Sequence, residues 1–320
     1  MALGFLGTVI GLERAVALGS RWHFAVPLLS GAGAIVLVAG GPLVLAGAAI
    51  TIAGALLVAV YASGMRRRPE TYAVVMAAGA AAWAVAALLW TVGWAVSSVV
   101  PLLALFLVFT IAGERLELSR LSRPGRLGRA GFVAAVIVFA MGVALSLVIP
   151  DAGVRIAGCG LVLLSLWLVR FDIARQTVHR AEPARYIAIC LLAGYAWLAV
   201  AGLLWLGAGS QAGGSLYDAM LHALFLGFVF SMVFGHEIII IPAVLGVTLR
   251  FGRRFYAPLV LLHLSLVARV VGDLAGGFTL WQLSGLTNVF AILLFVAVSV
   301  SAVARGVRHS GPPAPSSAAS

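Results

Sequence analysis

The chain contains no lysine, ten acidic residues and two cysteines in 320 positions. Charged residues make up 10% of it, against about 25% in an average soluble domain. Each shortage excludes something. With 63% hydrophobic residues and so few charges, the chain cannot hide its apolar surface in a water-soluble core. Two cysteines with no Cys-x-x-Cys or Cys/His spacing exclude a cysteine-built zinc or dithiol motif. Cys159 and Cys190 fall near opposite ends of successive apolar segments. A disulfide needs Cα atoms within about 7 Å, so two free thiols are expected. The strict polar–apolar alternation of a transmembrane barrel strand is also missing.

What is present is length and apolarity. Mean hydropathy is +1.13. Apolar runs of roughly 17–25 residues recur, enough to cross about 30 Å of hydrocarbon as helices. Eleven such segments are expected: Met1–Leu18, His23–Ala39, Leu43–Ser63, Tyr72–Val96, Val99–Gly113, Ala130–Val148, Ile156–Val169, Tyr186–Leu206, Asp218–Val247, Tyr256–Asp273 and Leu280–Ala304. The fold class that follows is all-α, a polytopic transmembrane bundle of about eleven helices over residues 1–308. A disordered cytoplasmic tail, rich in Pro, Ser and Ala, follows at 309–320.

Nineteen of the 21 basic residues, all arginine, fall at every second gap between these segments. The gaps hold Arg14 and Arg21; Arg66 to Arg68; Arg115 to Arg129; Arg170 to Arg185; Arg250 to Arg254; and Arg305 with Arg308. The alternate gaps hold only Arg155. The positive-inside rule then puts the N-terminus outside and the C-terminus in the cytoplasm. The net charge of +11 therefore reads as loop arginine facing a lipid bilayer, not as nucleic-acid binding. Gly47 and Gly54 share a face of one segment and read as a close helix–helix contact.

The first segment is short. About twelve apolar residues precede Glu13-Arg14, roughly 18 Å of helix. Either the pair sits within the inner leaflet, or the start lies upstream and the first helix is truncated; truncation is the expectation.

An ionisable group inside a membrane is costly and marks a candidate site. The candidates are Asp218, His222, His236, Glu237, His263, Arg269 and Asp273, all in two successive segments. His23, His179 and His309 stand in or beside cytoplasmic stretches and read as solvated. His222 and His236 are on one helical face but roughly 21 Å apart, too far to share an ion. Pro242 frees a carbonyl near Ile238, so a kink is expected just beyond His236. His236 and His263 come from antiparallel segments at matching depth and could hold one metal, copper included, or one porphyrin. Asp218 with His222, and Arg269 with Asp273, are i, i+4 pairs that together form an outer polar cluster. Two plainer readings stand beside these: histidines that only bond neighbouring carbonyls, and a proton path through His and Glu.

The stretch Leu221-His222-Ala223-Leu224-Phe225-Leu226-Gly227-Phe228-Val229 resembles the His-Ala-Leu-hydrophobic-Gly helix of the NnrS family. These are haem- and copper-containing membrane proteins associated with defence against nitric oxide, distantly related to haem–copper oxidase subunit I. Gly4-Phe5-Leu6-Gly7-Thr8 through Leu12-Glu13-Arg14-Ala15-Val16 resembles the first helix of short bacterial members of that wider group, in which a His-Gly pair precedes the motif. The resemblance implies haem, with His222 as axial ligand and Arg269 meeting the propionates; the second ligand would be the histidine that precedes Met1. Glu237 has no counterpart. No His-x-His or adjacent His-His copper pair is present, which argues against oxygen reduction with proton pumping. The expectation is a bacterial inner-membrane protein binding haem or copper, with a redox or nitric-oxide-tolerance role and an unidentified redox partner. The alternatives are a proton-coupled transporter or permease and a structural membrane protein.

Overall fold

The computed structural model describes residues 2–65, 70–119 and 125–309. Among them there is no strand. The long helices are α1 (Ala2–Leu18), α2 (Ala25–Val38), α3 (Leu43–Met65), α4 (Thr71–Thr91), α5 (Val96–Leu118), α6 (Arg126–Ser146) and α7 (Pro150–Phe171). After a single turn, α8 (Ala174–Thr177), come α9 (Ala184–Ala208) and α10 (Ser215–Leu221). A π-helical stretch, His222–Val229, joins α10 to α11 (Phe230–Leu245) in one rod. α12 (Tyr256–Ala275) and α13 (Phe278–His309) complete the chain.

Ten of these rods are long and apolar enough to cross a membrane by length and composition; α1 is not among them. Each expected segment is present as a helix. Arg66 to Arg68, Arg120 and Arg123 lie outside the described residues, as does the expected tail beyond His309.

Sequential helices pack side by side, α1 on α2 through α6 on α7, then α7 on α9, α9 on α11, and α12 on α13. The small residues explain why. A Cβ on Gly54 would lie 2.9 Å from the backbone of Ala84, so α3 and α4 touch there, as the Gly47/Gly54 spacing implied. α5 is the central rod: all of Val99 to Thr110 is buried. The outward faces are apolar, with Leu28, Ile35, Leu127, Leu264, Leu286 and Val300 exposed. An apolar exterior of this extent needs lipid rather than water around it.

Two expectations change. α5 runs five residues past Gly113, so Glu114 and Arg115 belong to the helix, and Arg115 is buried rather than in a loop. α7 begins at Pro150, which places Arg155 on the helix. There Arg155 binds Asp151 and, through Nη1, the end carbonyls of α9 at Leu206 and Gly207 (2.8 and 2.7 Å). The one arginine in an arginine-poor gap thus caps a helix C-terminus, where orphan carbonyls favour a cation. Pro242 lies inside α11, which runs on to Leu245 and closes on the left-handed Gly246. A separate irregularity lies at His222–Val229, a wide-turn segment of a kind frequent at functional sites.

Candidate functional site

Asp218 sits in the first turn of α10 and His222 one turn later, where the π segment opens. α10 packs on the far end of α12, which carries Arg269 and, one turn on, Asp273. The two i, i+4 pairs therefore meet. Arg269 Nε donates to Asp218 Oδ2 at 2.8 Å, and its Nη2 bonds the same oxygen. Nη1 donates to the Trp281 carbonyl (3.1 Å), and the guanidinium lies over the Trp281 ring, 4.5 Å from its centroid. Asp273 Oδ2 is 3.5 Å from Arg269 Nε. The Asp273 side chain is fully buried, and neither carboxylate oxygen has a hydrogen-bond partner.

His222 completes the group. Its Nδ1 lies 2.9 Å from the Asp218 carbonyl and 3.3 Å from Asp218 Oδ1. Both neighbours are acceptors, so Nδ1 carries a proton. Asp218, His222 and Asp273 can each offer a ligand atom within 4.8 Å of the other two. A donor set of one imidazole and two carboxylates is chemistry suited to a metal ion.

The other histidines are engaged differently. His236 Nδ1 is 2.6 Å from the Met232 carbonyl and is therefore the N–H; Nε2 accepts from Arg115 Nη2 at 2.8 Å. His263 Nδ1 accepts the indole N–H of Trp197 at 3.0 Å, so its proton is on Nε2, which is buried without a partner. Neither ring presents a free lone pair in this arrangement, and among the described residues no contact joins them. Glu237 faces α13, where the Ser299 hydroxyl lies 2.9 and 2.8 Å from its two oxygens. Gly227 matters to His263, since a side chain there would collide with the Trp197 ring.

A second polar group escaped sequence reading. At the arginine-bearing end, Arg14 on α1 donates to Glu114 on α5 at 2.6 Å, with Glu13 4.0 Å from Arg14. The Glu13–Arg14 pair is thus held against α5, whatever precedes the helix. Arg115 reaches His236, and Asp172, just past α7, is buried nearby. The signal was there: Glu13-Arg14 and Glu114-Arg115 stand at the same ends of two helices with matching charge order. His23 also departs from expectation. It is buried in the 3₁₀ turn Arg21–Phe24, edge-on to Trp22. His179 is exposed, as expected. Both cysteines are free.

A family model described as "Domain of unknown function (DUF8744)" matches residues 1–304. The chain belongs to this family. No curated protein and no solved structure matches it. The DUF8744 match spans both polar groups and reaches into the last membrane-length helix, Thr279–Gly306.

Proposed function

We propose that this DUF8744 protein is a multi-pass protein of the bacterial inner membrane that binds a redox-active metal ion through His222, Asp218 and Asp273. Its role is redox chemistry or tolerance of nitric oxide, as the NnrS-like motif around His222 implies. The proposed orientation has the arginine-bearing end in the cytoplasm and the His222 group toward the outer face. The observation that carries the reading is the meeting of three ligand-bearing side chains: His222, Asp218 and the fully buried Asp273 bring donor atoms within 4.8 Å of one another. Two carboxylates and one arginine leave one negative charge to balance, which favours a cation. Copper suits imidazole with carboxylate and is the ion we name.

Haem is the second reading. An apolar cavity of about 380 Å³ abuts the same rod, lined by Tyr217, Leu221 and Phe225 with Leu6, Leu37 and Trp90 across from them. Its volume is ligand-sized. Two features fit haem less well. No histidine lines the cavity, and Arg269 is already committed to two carboxylates rather than free for propionates.

The test is metal analysis and electron paramagnetic resonance of the purified full-length protein loaded with cupric ion. One copper per chain with nitrogen hyperfine splitting is expected, weakened at least tenfold in His222→Ala and Asp273→Asn and unchanged in His263→Ala. Equal binding by wild type and His222→Ala would overturn the copper assignment. A Soret band lost in His222→Ala would install haem instead.

A further inference from the structure

The apolar cavity beside the α10 rod has a polar end that the metal reading does not use. Its volume is about 380 Å³, and its walls come from α1 to α5 and from the rod, with Leu6, Leu37, Trp90 and Leu103 around Tyr217 and Leu221. A second space of about 20 Å³ lies where α5 begins and α9 ends, between Ser97, Trp205 and Gln211. Val100, Tyr217 and Leu221 line both, so the two spaces adjoin. Trp205 is 2% exposed, and its Nε1–H is buried with no hydrogen-bond partner.

Each feature restricts the occupant. The large chamber is walled by Leu, Ile, Val and Phe, with the Tyr217 hydroxyl and the Trp90 indole N–H as its only polar side-chain groups. Such a wall selects an apolar body, and the volume is that of a small-molecule site. The small space has room for one polar group about the size of a water or a carbonyl. A buried indole N–H donates and cannot accept, so that group must be an acceptor. Among the described residues no charged side chain lines either space. An ionised head, carboxylate or phosphate, would therefore be buried unpaired, which is far costlier than burying a neutral one.

We propose that the two adjoining spaces form one binding site for a neutral, membrane-soluble molecule with an apolar body and a carbonyl head. The head accepts from Trp205 Nε1, and the body lies in the chamber along α5. Two classes of membrane molecule carry that chemistry, quinones and acyl esters. The site is separate from the His222 group: none of Asp218, His222 and Asp273 lines either space, and binding there needs no metal.

Titration of the full-length, metal-free and haem-free protein in detergent, read by native mass spectrometry and by melting temperature, tests this. The probes are decylbenzoquinone, dioctanoylglycerol and decylbenzene, the last an apolar body without a carbonyl. One carbonyl probe per chain is expected, bound about two- to tenfold more tightly than decylbenzene, the worth of one hydrogen bond. Preference for the quinone assigns a quinone site, and preference for the ester assigns an acyl lipid. Trp205→Phe should remove the margin over decylbenzene. Leu103→Trp should abolish binding of every probe by filling the chamber; Leu37→Phe, on a less buried wall, serves if that variant does not fold, as melting by circular dichroism shows. The proposal is overturned if no probe binds, if decylbenzene binds as tightly as both carbonyl probes, or if the margin survives in folded Trp205→Phe, the N–H then holding water only. Undiminished binding in the folded chamber variants overturns it equally. Neither copper nor haem is present in the measurement, so its outcome stands apart from that of the copper test.

Discussion

A residue inside this bundle is defined by which of its atoms remain unused. His222, His236 and His263 look alike in sequence, yet their bonds differ: the first two meet the carbonyl one turn back through Nδ1, whereas His263 Nδ1 accepts the Trp197 indole N–H. Asp172 gives a prediction at this scale. Burial pushes its carboxyl above the ordinary carboxylate range, against the pull of the Ala174 amide and of Arg115. A raised folded-state value means the contribution is complete at low pH and is lost as pH rises through that value. Asp172→Asn should therefore gain on wild type in melting temperature as pH increases from acid to neutral; a constant difference across pH would contradict this. Arg155 gives another. Its ion pair with Asp151 is exposed and contributes little, but its two bonds to carbonyls at the end of α9 should make Arg155→Ala less stable by about 1–2 kcal/mol. Denaturant titration in detergent measures it.

The helices were legible as elements because their period and length depend only on chain-local hydropathy. All eleven segments appeared where apolar runs stood, with errors of a few residues at the ends. Those errors had consequences. Stopping α5 at Gly113 hid Glu114 and Arg115, whose charges read as loop although Arg14 and His236 hold them inside. The π segment was invisible, because a wider turn is set by what the rod packs against and not by its composition. Gly227 is one such place: Trp197 fills the space a side chain would need. Gly227→Val should displace Trp197, break its bond to His263 and change Trp fluorescence without loss of helical content. Helix contacts offer a paired test. Gly54→Val puts carbon against the Ala84 backbone and should destabilise by roughly 1–3 kcal/mol, whereas Gly64→Ala meets open space and should be nearly neutral.

As a whole molecule the bundle has two differently furnished ends. The arginine-bearing end collects the Arg14–Glu114 pair, Arg115 and Asp172, and the opposite end collects Asp218, His222, Arg269 and Asp273. The proposed orientation predicts that cysteines introduced at Gly40 and Gly213 react with an impermeant thiol reagent from outside intact cells. Cysteines at Gly125 and Gly252 should react only after the membrane is opened. The reverse pattern would invert the orientation.

The sequence by itself determined that the chain is helical, where its apolar runs stand, and which of their ends carry arginine, because hydrophobic length and charge placement are properties of each segment alone; of the eleven expected crossings, ten reach membrane length among the described residues. It also placed Asp218 beside His222 and Arg269 beside Asp273, since four residues make about one helical turn. Only the tertiary structure decided that these pairs meet, that Arg115 takes the lone pair of His236, and that Asp172 is buried beside Tyr195. Each of those contacts joins residues more than twenty positions apart, and which rods touch depends on the packing of small residues across the bundle rather than on any stretch of chain.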